Sequence, residues 1–254
     1  MAEPHNFYLA PEDWTEPFTL RGPEAHHLGR VLRIKAGEQV RLLDGLGRAG
    51  LFTVVEVGKK EVLLALKHEE ISPVPGVRCT LAAGFSKALR RGWFLEKSVE
   101  LEAHRLWFWQ GDYSQASLPD MEKSGWRADL LAGAKQCGNP RLPELALVKG
   151  GVAELAERAK QFDRAFMLYE GDTLGRMLEK NDLAVPGDIL LVVGPEGGFS
   201  PREVEMLQAA GVAPVSLGNR ILRWETAAVL TLGLAWWAGQ SGGAPSLQAP
   251  LPGD

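Results

Sequence analysis

The feature that most constrains the fold of this chain is a regular alternation of short apolar runs with longer helical segments, which begins at Thr80. The predicted strands are Thr80–Phe85, Arg105–Trp109, Leu145–Val148, Ala165–Tyr169, Ile189–Val193 and Pro214–Leu217. The predicted helices are Arg91–Leu101, Trp126–Lys135, Val152–Gln161, Pro201–Ala210 and Thr226–Ala238. Such alternation predicts an α/β domain with a parallel sheet, whose ligands bind in the loops beyond the carboxyl ends of the strands.

The residues before this region follow a different pattern. Val40–Leu43, Leu51–Val57 and Glu61–Leu66 are short apolar runs separated by glycine-containing turns, which is typical of hairpins in a small β-barrel. The next segment, SPVPG at 72–76, has two prolines and suits neither a strand nor a helix. We therefore predict a barrel domain at 1–72, an α/β domain at 77–239 and a flexible tail at 240–254, which is rich in Gly, Pro, Ser and Ala.

Charge bears on whether the chain binds nucleic acid. The formal net charge of −4 disfavours it, because phosphate contacts draw on lysine and arginine. The basic residues are nevertheless clustered. The clusters are Arg30, Arg33 and Lys35; Lys87, Arg90 and Arg91; and Arg220 and Arg223. We predict that the first two clusters bind RNA, although solvated helix faces and loops carry similar clusters.

The sequence gives little sign of a membrane-spanning segment, a metal site or a disulfide bond. The longest apolar stretch, Thr226–Trp237, falls short of the ~20 residues that span a bilayer, and no charged leader precedes an apolar run at the N-terminus. We expect a cytoplasmic protein with no membrane partner. Cys79 and Cys137 have no metal-ligand partners nearby in the sequence, so we expect both to be small buried residues and no metal to be bound.

The strongest local signal follows the predicted strand Ile189–Val193. Its loop, GPEGGFS at Gly194–Ser200, contains three glycines, which let backbone approach a ligand closely. Ser200 is a suitable N-cap, and Glu203 completes a capping box for the next helix. The sequence matches neither the Walker A nor the GxGxxG pattern, so a tight turn without a ligand remains an alternative.

A second loop follows the predicted strand Pro214–Leu217. Gly218 is followed by NRILRWE, which carries Arg220, Arg223 and Glu225 just before an apolar helix. Charges at a strand end beside a second glycine-containing loop indicate a site. Taken singly, each arginine is more typical of a surface, and the glutamate of a helix start.

Together these segments resemble the RsmE-type methyltransferases of the SPOUT superfamily. The resemblance rests on Gly194–Ser200 and on Leu217–Ala227 (LGNRILRWETA), and it extends to His26–Arg33, Glu96–Leu101 and Gln136–Gly138. It covers nearly the whole chain except the tail. Four residues depart from the family pattern, which has glycine, glutamate, arginine and threonine in their places: Glu102, Lys135, Asn139 and Trp224.

The resemblance implies a fold, an activity and partners. The fold is a C-terminal SPOUT α/β trefoil-knot domain with a small N-terminal PUA-like β-barrel domain. The activity is transfer of a methyl group from S-adenosylmethionine to N3 of uracil 1498 in 16S ribosomal RNA of the small subunit. It also implies a homodimer, to which the apolar helix with Trp236 and Trp237 is suited unless both indoles lie in the core.

The resemblance also implies which residues bind the cofactor, in three loops. They are Leu168, Tyr169, Glu170 and Gly171; Val193, Gly194, Pro195, Glu196, Gly197 and Gly198; and Ser216, Leu217, Gly218, Asn219, Ile221 and Leu222. Attack by a ring nitrogen requires loss of its proton, so a base or a stabilising cation is needed. Arg223 is the predicted cation, because a guanidinium is always charged and offers paired donors. Glu196 and Glu225 are candidate bases, and either could instead be a structural carboxylate.

Two other functions remain open from the sequence. One is a SPOUT methyltransferase that acts on transfer RNA. The other is a non-catalytic RNA-binding protein whose larger domain only binds a nucleoside. Binding of S-adenosylmethionine together with a methylation assay on small-subunit ribosomal RNA separates all three.

Overall fold

The computed structural model describes residues 4–86, 91–170 and 176–240. Lys87, Arg90 and Gly171, for which roles are predicted, lie outside these residues, as do residues 241–254 of the predicted tail. The chain divides into two compact units. The first comprises residues up to 74 together with 95–100 and 123–143, and the second comprises 75–94, 101–122 and the residues from 144 onwards.

The first unit contains a five-stranded sheet in the described part of the chain. Its elements are β1 (Asn6–Tyr8), β2 (Phe18–Arg21), helix α1 (Gly22–His26), a π-helical turn (His27–Leu32), β3 (Gln39–Leu43), β4 (Arg48–Val57) and β5 (Glu61–Ile71). The strand order is β1-β3-β4-β5-β2, with β1 and β3 parallel and the other pairs antiparallel. Alternate residues of β4, among them Phe52 and Val54, are buried, so one face of the sheet packs on the core.

The second unit is built on a seven-stranded sheet, counted over the described residues. The strands are β6 (Val77–Gly84), β7 (Arg105–Trp109), β8 (Glu144–Val148), β9 (Arg164–Leu168), β10 (Arg176–Met177), β11 (Gly187–Val193) and β12 (Ala213–Ser216). Over both units, the helices that follow α1 in the chain are α2 (Arg91–Glu100), α3 (Ser124–Cys137), α4 (Gly151–Ala159), α5 (Lys180–Ala184), α6 (Pro201–Ala209) and α7 (Trp224–Gln240). The strand order is β10-β12-β9-β11-β6-β7-β8, and every pair is parallel.

The central strands of this sheet bring three strand ends together. Residues 189–192 of β11 are completely buried, as expected for a strand covered on both faces. β11 pairs with β6 on one side and with β9 on the other, and β9 pairs in turn with β12. The carboxyl ends of β9, β11 and β12 therefore meet at one edge of the sheet, where Leu168 is in register with both Val193 and Val215.

The predicted strands and helices are confirmed, with small changes at their ends. Helix α7 begins at Trp224 instead of Thr226, and it extends to Gln240, which was predicted to begin the tail. β1, β2, β10, α1 and α5 were not predicted, because segments of two to five residues carry no usable periodicity. Among the described residues, no helix combines the length and apolar character needed to cross a membrane.

One prediction about burial is wrong, and one alternative is excluded. Cys79 is buried, but Cys137 is exposed, because it ends α3 just before Gly138 turns the chain with a φ of 74°. Trp236 and Trp237 are 39% and 53% exposed, so they do not lie in the core of this chain. They lie on α7, whose buried face is formed by smaller residues such as Ala228 and Ala235.

Local structure shows the surroundings of three of the four residues that depart from the family pattern. Glu102 takes a left-handed φ of 53°, a conformation that glycine adopts without strain. The Lys135 ammonium lies 2.7 Å from a carboxylate oxygen of Glu24. The side-chain amide of Asn139 donates to the carbonyl of Val99 and its oxygen accepts from the backbone of Arg141.

Candidate active site

A cavity of about 230 Å³ lies where the carboxyl ends of β9, β11 and β12 meet. Its walls come from the segment after β9, the loop between β11 and α6, the loop after β12 and the start of α7. This is where a parallel α/β sheet binds its ligands, because the loops of adjacent strands converge there.

Most of the predicted cofactor residues line this one cavity. They are Leu168, Tyr169, Glu170, Val193, Gly194, Pro195, Glu196, Gly198, Ser216, Leu217, Gly218, Ile221 and Leu222. Gly197 and Asn219 do not line it. Four further lining residues were missed: Phe199, Arg220, Trp224 and Ala227. All four lie within Gly194–Ser200 or Leu217–Ala227, so their place in these two motifs could have identified them from the sequence.

The loop between β11 and α6 is held by the capping box that the sequence predicts. The hydroxyl of Ser200 accepts from the backbone of Glu203 at 3.3 Å, and the Glu203 carboxylate accepts from the backbone of Ser200 at 2.8 Å. Glu203 is fully buried, and its second oxygen accepts from the backbone of Asp112 at 2.7 Å. This carboxylate therefore joins the loop after β7 to the start of α6.

Asp112 completes this connection with its side chain. Its carboxylate accepts a 2.6 Å hydrogen bond from the Ser200 hydroxyl and pairs with the guanidinium of Arg202 at 3.1 Å. Hydrogen bonds from Arg202 and Ser200 lower the pKa of Asp112, because both favour the charged form. We call Asp112, Ser200, Arg202 and Glu203 the Asp112 network; the sequence did not predict it.

Glycines shape the two cavity loops. Gly198 and Gly218 both line the cavity with positive φ values of 75° and 132°, conformations that side chains rarely adopt. Gly197 faces the loop after β7 instead: a Cβ there would lie 2.6 Å from the Cβ of Tyr113. A larger residue at Gly197 would therefore disturb loop packing before it reached any ligand.

The charged residues of the two motifs occupy different positions. Glu196 and Arg220 line the cavity, and both are exposed. Arg223 is exposed and Glu225 is half-buried, and neither lines the cavity. The structure therefore places Arg220 and the candidate base Glu196 in the cavity wall, and places the predicted cation Arg223 outside it.

The predicted RNA-binding clusters differ in exposure. Arg30, Arg33 and Lys35 are all exposed on the first unit, where the π-helical turn ends at Arg33 with a left-handed φ of 56°. Arg91 is half-buried: its guanidinium lies 4.5 Å from the ring centre of Phe85 and donates to the carbonyl of Ser86. Burial lowers the pKa of Arg91, and the negative charge of Glu196 opposes that shift.

Comparison with known proteins defines the class. A family model described as an RNA methyltransferase domain matches residues 73–236, and one described as an RNA methyltransferase PUA domain matches residues 20–67. A PUA-like sheet followed by a parallel α/β sheet with its cavity at the strand ends is thus the architecture of a SPOUT-type RNA methyltransferase.

Relatives narrow the class to one family. The chain is 31% identical over 221 residues to ribosomal RNA small subunit methyltransferase E of Mycobacterium bovis, a match that covers 84% of this chain and 83% of the relative. It is 27% identical over 225 residues to the protein of that name from Bacillus subtilis, covering 85% and 88%. The chain belongs to the ribosomal RNA small subunit methyltransferase E family.

A solved structure of this family supports the same fold. The Neisseria gonorrhoeae ribosomal RNA small subunit methyltransferase E, bound to S-adenosyl methionine, is 25% identical and superposes with a TM-score of 0.78. The match covers 94% of this chain and 98% of that structure.

Proposed function

We propose that this chain transfers a methyl group from S-adenosylmethionine to N3 of uracil 1498 in 16S ribosomal RNA. The observation that carries the proposal is that one cavity at the ends of β9, β11 and β12 is lined by residues of both Gly194–Ser200 and Leu217–Ala227. A cavity lined by only one of these two loops would have been compatible with a tight turn that binds no ligand.

The residues of the cavity suit an adenosine-containing cofactor. Backbone groups at Gly198 and Gly218 are left uncovered by side chains, so they can approach and hydrogen-bond a flat base. Leu168, Leu217 and Ile221 supply apolar surface beside them. This mixture of apolar walls and a few polar groups is typical of small-molecule sites. When bound, S-adenosylmethionine supplies an electrophilic methyl group on its sulfonium.

The chain's own residues orient the reaction and stabilise charge. As uracil loses its N3 proton, negative charge develops on the flanking carbonyl oxygens, and a guanidinium stabilises it with paired donors. We assign this role to Arg223, as the sequence predicts, with Arg220 as the second candidate because it lines the cavity. Glu196 and Glu225 are the candidates to accept the proton, of which Glu196 lines the cavity.

RNA binding is assigned to two groups of cations. We propose that Arg30, Arg33 and Lys35 contact phosphates, which fixes the position of the RNA without reading its sequence. We retain Lys87, Arg90 and Arg91 as a second contact region. The target base must leave its stack to reach the cavity, because its N3 edge is otherwise covered.

Several finer properties belong to the same proposal. They are a trefoil knot in the C-terminal domain, domain limits at 72 and 77, location in the cytoplasm with the proposed substrate, and a homodimer. The exposed Trp236 and Trp237 on α7 provide apolar surface for a two-fold interface. Sedimentation at micromolar concentration should give a dimer, and a monomer would contradict this part of the proposal.

Three assays test the proposed activity. Calorimetric titration should show that the protein binds S-adenosylmethionine. Small-subunit ribosomal RNA incubated with the protein and S-adenosylmethionine should gain one methyl group at N3 of a uridine, which mass spectrometry detects. Parallel assays on transfer RNA provide the control. Methylation of transfer RNA alone, or cofactor binding without methylation, would reject ribosomal RNA methylation in favour of the two alternative functions.

The roles of the arginines are tested by paired substitutions. Arg223→Ala should lower the single-turnover rate about 100-fold while the affinities for RNA and cofactor change little, because the contact forms mainly in the transition state. Arg220→Ala is the matched variant from the same loop. If Arg220→Ala loses the rate and Arg223→Ala does not, the electrostatic role belongs to Arg220.

A further inference from the structure

Trp224 is a residue of the cavity wall with an unusual environment. It is the first residue of α7, it is 6% exposed, and it lines the cavity. Its indole contacts the ring of Phe94 edge-to-face, with ring centres 5.1 Å apart. Phe94 is completely buried and packs in turn against Phe108, so the indole packs against buried aromatic rings.

The indole N–H of Trp224 is buried without a hydrogen-bond partner among the described residues. Burying a donor in this way costs about 1–3 kcal/mol, and more than nine in ten buried polar groups in proteins avoid that cost. Two other buried tryptophans avoid it: Trp14 donates to Glu69 at 2.7 Å, and Trp109 donates to the carbonyl of Val193 at 3.2 Å.

A contact with the face of Phe94 is a weak substitute for a hydrogen bond. The start of α7 does not supply an acceptor either, because the backbone groups left unpaired in the first turn of a helix are N–H donors. The open space next to the indole is the cavity that the two motifs line. The acceptor that this donor lacks is therefore most directly supplied by a molecule bound in that cavity.

We propose that the Trp224 indole N–H donates a hydrogen bond to an acceptor atom of bound S-adenosylmethionine and so contributes to cofactor affinity. The proposal rests on the proposed cofactor binding. Less than 1 Å² of the nitrogen is accessible, so the proposed bond requires the indole to turn toward the cavity when the cofactor binds. The buried donor of Trp224 thus lowers the stability of the protein alone and raises its affinity for the cofactor, which is common for residues of functional sites.

Trp224→Phe tests the proposal, because it keeps a ring against Phe94 and removes only the donor and part of the indole. Thermal unfolding without cofactor should occur at the wild-type temperature or above it, since an unsatisfied buried donor is removed. Calorimetric affinity for S-adenosylmethionine should fall about three- to tenfold, the usual net value of one hydrogen bond. The thermal shift that the cofactor produces should shrink accordingly.

Trp14→Phe is the matched control, because Trp14 is also buried but its N–H already has a partner in Glu69. This variant should unfold at a lower temperature and bind S-adenosylmethionine with unchanged affinity. If Trp224→Phe lowers the unfolding temperature and leaves the affinity unchanged, the N–H serves the fold and the inference is wrong. Failure of the wild-type protein to bind S-adenosylmethionine would instead reject the proposed function.

Discussion

At the scale of single residues, burial gives chemically identical groups different properties. Cys79 lies on β6 with 6% of its surface exposed, and burial raises the pKa of its thiol to about 12. Cys137 is exposed at the end of α3. The thiolate is the reactive form of cysteine, so its burial and its raised pKa both lower the reactivity of Cys79.

We therefore expect alkylation to distinguish the two cysteines. Because burial raises its pKa to about 12, very little of the Cys79 thiol is ionised at pH 8. Iodoacetamide at this pH should label Cys137 in the native protein and label Cys79 only after unfolding in guanidinium. Peptide mass spectrometry measures both sites. Native labelling of Cys79 at the rate of Cys137 would contradict the burial of β6.

At the scale of elements, the loop between β11 and α6 depends on a partner that is distant in the chain. Asp112 and Ser200 are 88 residues apart, yet their side chains share a 2.6 Å hydrogen bond. The buried carboxylate of Glu203 accepts from both segments. Because Gly194, Pro195, Glu196 and Gly198 line the cavity on this loop, the Asp112 network connects the stability of the fold to the shape of the cavity.

Asp112→Ala should lower the free energy of unfolding at pH 7 by about 1–2 kcal/mol, mainly through the lost Ser200 bond, since the Arg202 pair is partly exposed and worth little. The pKa of Asp112 is lowered in the folded state, so its contribution is complete above about pH 4 and is lost as pH falls through the lowered pKa. Urea unfolding at several pH values measures the difference between variant and wild type.

The difference between Asp112→Ala and wild type should therefore shrink in acid. Asp120→Ala, an exposed aspartate for which the described residues show no hydrogen bond or ion pair, is the control and should change little at any pH. Affinity for S-adenosylmethionine should also fall in Asp112→Ala, because the loop loses an anchor. A pH-independent loss of stability would mean that the Asp112 charge has no role.

At the scale of the whole molecule, the distribution of charge matters more than its sum. The net charge is −4, but Arg30, Arg33 and Lys35 lie together and exposed on the first unit. Phosphate contacts depend on such local groups of cations, and each contact adds to the dependence of binding on salt. An acidic protein can therefore bind RNA through one basic surface.

Substitution of Arg30 and Arg33 together by glutamine should weaken binding to small-subunit ribosomal RNA. The slope of log affinity against log salt should fall by about 1.4–1.8, at ~0.7–0.9 for each of the two lost phosphate contacts. Cofactor affinity should not change. Lys59→Gln with Lys60→Gln removes the same charge from the exposed turn between β4 and β5, and it should leave the slope as it is. An unchanged slope in the Arg30 and Arg33 variant would remove this cluster from the RNA interface.

Much of the architecture follows from the sequence because local patterns were strong enough. The main strands and helices of the α/β sheet have runs long enough for their periodicity to indicate their type, and the capping box at Ser200 and Glu203 is a local motif. The two cavity loops could be predicted because each is contiguous in the chain and follows a strand, and parallel strands bring such loops to one edge. Membership of the family could be inferred from the same segments.

Other properties depend on contacts between distant residues, and only the tertiary structure decided them. The short strands β1, β2 and β10 exist because neighbouring strands supply their hydrogen bonds. Arg91 is half-buried because Phe85 lies under its guanidinium, and the donor of Trp224 is buried where its indole packs against Phe94. Sequence determined which residues could form the cavity, whereas packing determined which of them line it, because burial and hydrogen-bond partners arise only when separate segments meet.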